Sequence, residues 1–157
     1  MNKKQLIWLP ICLISFFCNY AQNYTAAFIK TVQIKNATTN ENSFIFKLNE
    51  PIRFSFDDLE ADQKYYTYKI EHCTKNWKIS DLNSSQFIKG YDEFEINDFQ
   101  NSFNTLQPFT HHKFRIPNQN TSIKISGNYL ITVFNEDEEI CIQRRIVIYE
   151  PKVTISA

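Results

Sequence analysis

The sequence predicts an all-β fold, an immunoglobulin-like β-sandwich of about eight strands. Apolar and polar residues alternate with a period of two through most of the chain, and no window has a sustained helical period. Short runs of turn-forming residues separate the alternating segments, as they do in sandwiches. The length of 157 residues is sufficient for one domain with a substantial core.

Strand patterns and turn patterns follow each other in a regular order. Eight segments have the strand pattern: residues 28–34, 44–48, 52–56, 66–70, 114–116, 122–125, 129–134 and 140–149. Within the polar segment 57–63 we expect one helical turn over residues 59–63, capped by Asp57 or Asp58. At the end of the chain, residues 153–157 have the pattern of another strand beginning.

The longest segment without a clear strand pattern is residues 80–107. It is rich in aromatic residues rather than in glycine and serine. We therefore expect a long, ordered excursion from the sandwich and not a flexible linker. Ordered loops on a rigid scaffold are frequent binding elements.

Residues 1–21 have the pattern of a cleavable signal peptide. Two lysines precede an apolar run over residues 6–17, which is shorter than the roughly 20 residues that cross a bilayer. We expect cleavage after residue 21, which leaves a β-sandwich domain over residues 22–157 and no transmembrane segment. Lipidation of Cys18 is the less favoured alternative, because two phenylalanines stand where a lipobox has small residues.

Charge gives no reason to expect binding to nucleic acid or to anionic lipid. The whole chain has 17 basic and 17 acidic residues, and residues 1–21 hold two of the lysines and no acid. The mature domain therefore carries a net charge near −2. A nucleic-acid partner would require a basic surface, which this composition does not supply.

The two cysteines of the mature domain, Cys73 and Cys141, would reach a compartment in which disulfides form. Two cysteines do not define a disulfide framework. A bond between them requires neighbouring strands, whereas buried free cysteines are common in cores. Both states stay open from the sequence, and the free state is favoured.

We expect no catalytic site, metal site or cofactor. His72 and Cys73 are adjacent on one predicted strand and therefore point to opposite faces, as do His111 and His112. Neither pair can converge on a nucleophile or a metal ion by itself. The acidic runs fit hairpin tips and helix caps, since they lack the spacing and the glycine of a calcium loop.

Aromatic residues make up 15% of the sequence, and phenylalanine is the most abundant of them. Most phenylalanines fall on the apolar side of a predicted strand, which favours a phenylalanine-rich core over an exposed sugar-binding surface. Trp77 is different, because it follows the end of a predicted strand. We expect its ring to pin the turn there and its N–H to reach a backbone carbonyl.

Several strings in the mature chain, taken as a set, resemble a known family. They are the EHC…W string with His72, Cys73 and Trp77, then Gly90, the SFNT string with Ser102, Phe103, Asn104 and Thr105, the SGNY string with Gly127, Asn128 and Tyr129, and finally Arg145. In this order they resemble the N-terminal domain of the type IX secretion system plug protein of Bacteroidetes. Thr74 and His112 depart from the family pattern, where an acid and an aromatic residue are usual.

The resemblance implies a non-enzymatic periplasmic protein that docks on the outer-membrane translocon barrel and closes its pore. For such a protein, we expect the ordered excursion over residues 80–107 to be the docking element. It also implies a further C-terminal region, which is absent from this chain. A carbohydrate-binding module of an exported glycan-degrading system is the main alternative, and a coplanar exposed pair among Trp77, Tyr91 and Tyr66 would favour it. An esterase-like or thiol enzyme is third, and it requires a histidine nitrogen close to a nucleophile in a cleft.

Overall fold

The computed structural model describes residues 23–61 and 64–151. The described residues form two packed β-sheets with a small two-stranded sheet beside them, which confirms the predicted all-β sandwich. The predicted signal peptide, residues 1–21, and the strand pattern at 153–157 lie outside the described residues. Residues 62–63 of the predicted helical turn also lie outside them.

Twelve strands and one short helix make up the described fold. In chain order they are β1 (Tyr24–Thr25), β2 (Ile29–Asn36), β3 (Ile45–Lys47), β4 (Ile52–Asp58), β5 (Thr67–Cys73), helix α1 (Ser84–Phe87), β6 (Ile88–Gly90), β7 (Glu93–Glu95), β8 (Asp98–Asn101), β9 (Thr110–Ile116), β10 (Thr121–Ile123), β11 (Gly127–Phe134) and β12 (Ile140–Tyr149). Each of the eight predicted strand segments overlaps one of these strands.

The first sheet has the order β1-β12-β11-β5-β7, and β3 pairs in parallel with the end of β12. The second sheet has the order β2-β4-β9-β8, and all of its pairings are antiparallel. Strands β6 and β10 form the small third sheet. The two large sheets face each other and enclose one continuous apolar cluster.

Residues 80–107 are ordered, as predicted, but they also contain regular structure that the sequence pattern did not indicate. They hold α1, β6, β7 and β8. Strand β7 extends the first sheet by pairing with β5, and β8 extends the second sheet by pairing with β9. The excursion therefore joins the edges of both layers of the sandwich.

A stack of aromatic rings joins the two sheets at the centre of the core. The ring of Tyr68 in the first sheet lies parallel to that of Phe114 in the second sheet, with 4.3 Å between centroids. Phe114 stacks in turn on Phe54, at 5.0 Å. The hydroxyl of Tyr68 accepts a hydrogen bond from the Asn118 side-chain amide at 2.9 Å and lies 3.2 Å from Oγ1 of Thr121.

A second part of the core contains buried polar groups. The Asp58 carboxylate is fully buried and accepts hydrogen bonds from the Tyr66 hydroxyl at 2.8 Å and from the backbone N–H of Glu60 at 3.0 Å. His112 lies beside this group, stacked on Phe56 with 5.1 Å between ring centroids. Both ring nitrogens of His112 are buried without a hydrogen-bond partner among the described residues, and burial lowers its pKa to about 4.

The only helix in the described residues, α1, has four residues. No helix in residues 23–61 and 64–151 has the length and hydrophobicity that a membrane crossing requires.

Replacing His112 with Phe is expected to stabilise the fold and to reduce its acid sensitivity. The change keeps the ring stacking and removes two buried polar atoms without partners, so we expect a gain of about 1–3 kcal/mol at pH 7. The folded-state pKa of His112 is about 4 and an unfolded histidine has a pKa near 6.5, so the unfolded chain binds more protons between these values. Wild-type stability should fall by about 3 kcal/mol as the pH drops through this window.

Urea unfolding at several pH values between 7 and 4 measures both effects. The difference between wild type and H112F isolates this histidine from the carboxylates, which titrate in both proteins. His111→Asn is the matched control, because His111 neighbours His112 but is more exposed and contacts Asp57. A less stable H112F protein with the wild-type pH slope would contradict the interpretation.

Candidate functional site

The structure places the motif residues of the sequence in three separate regions. The first region is at one end of the first sheet, where β5, β11 and β12 meet. The second is the pairing of β6 with β10, which contains Gly90. The third is the loop between β8 and β9, which contains the SFNT string.

On the inner side of the first region, His72 lies between two aromatic rings. Its ring contacts Tyr129 edge to face at 5.3 Å and Phe87 at 5.8 Å, both measured between centroids. Nδ1 of His72 lies 2.8 Å from Oγ of Ser80. A Cβ atom on Gly127 would lie 2.5 Å from Nε2 of His72, so glycine is required there by close approach. The EHC and SGNY strings are therefore parts of one packing arrangement.

On the outer side of the same region, Trp77 and Arg145 form a second contact. The guanidinium carbon of Arg145 lies 4.8 Å from the centre of the Trp77 ring, which is a cation–π geometry. Asn128 donates a side-chain hydrogen bond to the carbonyl of Thr74 at 3.2 Å and so fixes the turn that carries Trp77. Trp77 does lie at the turn, as predicted, but it is half-buried and its own backbone has a φ of 61°.

The side chains of this region are packed as structural residues, and its thiol is not activated as a nucleophile. Burial raises the pKa of the Cys73 thiol to about 11, whereas a reactive cysteine has a lowered pKa. Ser80 lies close to His72, but Nε2 of His72 faces Gly127. The backbone N–H of Ser80 also donates to the carbonyl of His72 at 2.9 Å, so the side-chain contact reinforces a turn.

The sequence left open a disulfide between Cys73 and Cys141. In the structure both thiols are free and buried. Cys73 pairs with Asn128, which pairs in turn with Val147 on β12. Cys141 lies six positions before Val147, a separation of roughly 20 Å at 3.3 Å per residue. A disulfide requires Cα atoms within about 7 Å, so the strand register keeps the two cysteines apart.

Within residues 23–61 and 64–151, no three His, Cys, Asp or Glu side chains converge as a metal-ligand set. His111 and His112 lie on opposite sides of β9, as their adjacency predicted. Nδ1 of His111 lies 2.6 Å from Oδ1 of Asp57, and His112 is buried in the core.

Gly90 is required by its backbone conformation and by its surroundings. Its φ is 95°, a region that residues with a Cβ rarely adopt. A Cβ atom there would lie 1.9 Å from the carbonyl oxygen of Asn120. The same carbonyl accepts a hydrogen bond from the backbone N–H of Tyr91 at 2.9 Å, so Gly90 permits the close approach that anchors the excursion to the β9–β10 turn.

The loop between β8 and β9, residues 102–109, is closed by its own hydrogen bonds. Ser102 donates its N–H to the carbonyl of Phe109 at 2.8 Å, and its hydroxyl accepts from the N–H of Phe109 at 2.9 Å. Oγ1 of Thr105 lies 2.9 Å from the carbonyl of Gln107 and 3.1 Å from Oγ of Ser102. Asn104 adopts a left-handed φ of 54°, which asparagine tolerates better than most residues.

This loop presents two apolar side chains to solvent. Phe103 is 93% exposed and Leu106 is fully exposed. The amide of Gln107 donates to the carbonyl of Leu59 at 3.0 Å, so the loop is also tied to the chain that follows β4. We call residues 102–109 the hairpin tip. A hydrogen-bonded loop that holds large apolar side chains in water is a candidate protein-docking element.

The residues considered for a carbohydrate platform do not form one. Tyr66 is buried and donates a hydrogen bond to Asp58, and the ring of Trp77 is in contact with the guanidinium group of Arg145. Tyr91 is exposed, and its ring stacks on Phe94 with 6.2 Å between centroids. None of the three makes a coplanar exposed pair with another.

An open groove of about 500 Å³ lies beside β7 and reaches Thr67 on β5. It is lined by Thr67, Tyr91, Glu93, Phe94 and Glu95. The sequence pattern indicates neither this groove nor the exposure of Leu106. The alternation of acid and phenylalanine over residues 93–95 is a strand signal, but three residues are too few to distinguish a strand from a loop.

Comparison with protein families gives a match over most of the described chain. The family described as type 9 secretion system plug protein, first domain, matches residues 29–150. The chain belongs to this family. The match to this plug family confirms the resemblance seen in the EHC…W, SFNT and SGNY strings, and it associates the chain with a secretion system of the bacterial envelope.

A solved structure agrees with the plug-family match. A hypothetical protein from Parabacteroides merdae is 31% identical, with a TM-score of 0.75 over 81% of this chain. This chain covers only 33% of that protein. An alkylpurine DNA glycosylase from Pseudomonas fluorescens has 13% identity and a TM-score of 0.43, over 76% of this chain and 29% of that one, which is too weak to support an argument. No curated protein matches the sequence.

Gly127→Ala is expected to destabilise the fold through a clash with His72. A new methyl group 2.5 Å from Nε2 must displace a ring that is packed between Tyr129 and Phe87, and overpacking of this kind costs about 1–3 kcal/mol. In a His72→Ala background the same glycine change should cost less, with a coupling of about 0.5–3 kcal/mol. Urea unfolding of wild type, both single variants and the double variant measures the coupling. Equal costs in the two backgrounds would show that the close approach is not the constraint.

Proposed function

We propose that this chain is a non-enzymatic periplasmic component of the type IX secretion system that docks on the outer-membrane translocon barrel and helps to close its pore. The membership of the plug family supports this assignment. We infer the docking surface from the hairpin tip, because Phe103 and Leu106 are exposed to water there, at the end of a well-paired hairpin. It lies mainly within the excursion that the sequence indicated as the docking element.

The hairpin tip is suited to binding because its conformation is already fixed. Its hydrogen bonds to Ser102 and Thr105 and the contact of Gln107 with Leu59 order the backbone before a partner is met. Ordering a loop on binding costs free energy, so a preformed tip retains more of the favourable burial of Phe103 and Leu106. Aromatic anchors of this kind account for much of the affinity at protein interfaces.

The partner of the tip is a protein and not a lipid surface. Segments that bind anionic membranes combine apolar residues with lysine or arginine. Residues 98–110 contain no lysine or arginine, and the polar residues beside Phe103 and Leu106 are amides and hydroxyls. An apolar pocket on the translocon is the matching surface.

Export and the remainder of the protein are part of the same proposal. Residues 1–21 direct secretion to the periplasm, and residues 22–157 act as one β-sandwich module. This chain covers a third of the Parabacteroides protein, so the activity of a complete plug can include regions that are not represented in this chain.

Charge introduced at the hairpin tip should weaken docking without unfolding the domain. Phe103→Asp and Leu106→Asp change fully solvated side chains, so stability should stay within about 0.5 kcal/mol of wild type. Loss of a central aromatic anchor costs about 2 kcal/mol, or about thirtyfold in affinity. Phe44→Asp is the matched control, because Phe44 is also exposed but lies beside β3 in the other sheet.

The measurement is leakage of a large, normally excluded antibiotic into a strain that lacks its plug protein and is complemented with each form. Photo-crosslinkers placed at positions 103 and 44 report the contact directly. We expect wild type and F44D to reduce leakage, the tip variants to fail, and crosslinking to the barrel from position 103. Rescue by the tip variants would reject the tip as the docking element. No crosslink to the barrel from position 103, together with no rescue by either this chain or a full-length plug protein that contains it, would reject the plug assignment.

A further inference from the structure

The outer edge of β7 is a free edge of the first sheet. The carbonyl of Asp92 accepts from the N–H of Ile70, and the N–H of Ile96 donates to the carbonyl of Tyr66, each at 2.8 Å. Positions 92, 94 and 96 therefore face β5, and the backbone groups of Glu93 and Glu95 point the other way. Among the described strands, none pairs with this side of β7.

The groove beside this edge has features of a binding surface. Its volume is about 500 Å³, and Tyr91, one of its lining residues, is 64% exposed. Tyr91 stacks on Phe94, so its position is fixed by a contact within the excursion. Protection of the edge against aggregation requires only charge, and it does not explain an exposed aromatic ring beside an open groove.

The electrostatic character of the edge is acidic. Glu93 and Glu95 are exposed, and Glu71 interacts electrostatically with Asp92 and Glu93. Burial raises the pKa of Glu71, the charge of Lys69 opposes this rise, and the charges of Asp92 and Glu93 add to it. Lys69 is opposite Glu93 in the strand register, but the two charged groups are 4.0 Å apart and exposed, so this pair neutralises the edge only weakly.

We propose that the β7 edge binds an extended, basic polypeptide segment by strand addition. The segment would pair its backbone with Glu93 and Glu95, and its lysine or arginine side chains, two residues apart, would lie beside the two carboxylates. The residue between them would face the opposite side of the sheet, towards Phe94. Main-chain hydrogen bonds supply affinity in this mode, and alternate side chains supply specificity.

A second copy of this chain does not fit the same edge. Antiparallel pairing of two β7 strands would bring glutamates from both copies together, and like charges on facing strands are destabilising. The charges that prevent self-association thus favour a basic strand. The edge belongs to the first sheet and the hairpin tip belongs to the second, so this surface is additional to the proposed docking element.

A synthetic peptide tests the proposal on the whole domain. The probe is a nine-residue fluorescent peptide with lysine at alternate positions and threonine, valine or phenylalanine between them. We expect saturable binding that weakens with added salt, with the largest amide shifts in nuclear magnetic resonance spectra at residues 93–95. A peptide with glutamate in place of lysine should not bind. The same lysine peptide with N-methyl groups on the amides that face β7 should bind at least about tenfold more weakly.

The location is tested with a charge-reversed protein. The E93K/E95K variant should bind the lysine peptide at least about tenfold more weakly, and Y91A should also bind more weakly. E136K/D137K is the matched control, because it makes the same change of charge in the turn between β11 and β12. Circular dichroism confirms that each variant is folded. Equal binding by the N-methylated peptide, equal binding by E93K/E95K, or dimerisation through β7 would overturn the proposal.

Discussion

The contact between Tyr68 and Phe114 is the point on which the rest of the fold depends. The two rings stack across the interface between the sheets, with 4.3 Å between their centroids. The Tyr68 hydroxyl also forms hydrogen bonds with Thr121 and Asn118. Through these two residues the core fixes the β9–β10 turn, and β10 carries β6, the first strand of the excursion. The start of the excursion is therefore tied to the packing of Tyr68 in the core. Further along the same segment, β7 and β8 are held by their own pairings with β5 and β9.

The strands in which apolar and polar residues alternate over several positions could be predicted from the sequence, because each has one buried face. The strands that the sequence pattern did not predict are β1, β6, β7 and β8. They have two to four residues, which is too few to show a period of two clearly. They are strands because an adjacent sheet edge offers hydrogen-bond partners, which is information about the fold and not about the segment. The same limit explains why the sequence could not decide whether Cys73 and Cys141 form a disulfide. The register of β5, β11 and β12 separates them, and no pattern in the sequence gives that register.

The motif residues separate into those that identify the fold and those that are available to a partner. His72, Gly127 and Tyr129 pack against each other, so their identities are set by internal space. The SFNT string is different, because Ser102 and Thr105 close a loop whose exposed residue, Phe103, makes no contribution to the core. The sequence could group these strings as a family signature. Only the structure distinguishes a steric requirement from a surface, because that distinction depends on exposure.

The position of the hairpin tip also determines how the domain would bear a mechanical load. A pull on the tip along its strands acts on β8 and β9 together, so the resistance comes from the neighbouring ladder between β9 and β4. That ladder has seven paired positions, from Ile52 with Ile116 to Asp58 with Thr110, and its hydrogen bonds lie across the direction of pull. Such a ladder is loaded in shear, with all of its bonds sharing the force, and does not open one pair at a time. The apolar tip is thus attached to a seven-pair ladder that would carry tension in shear.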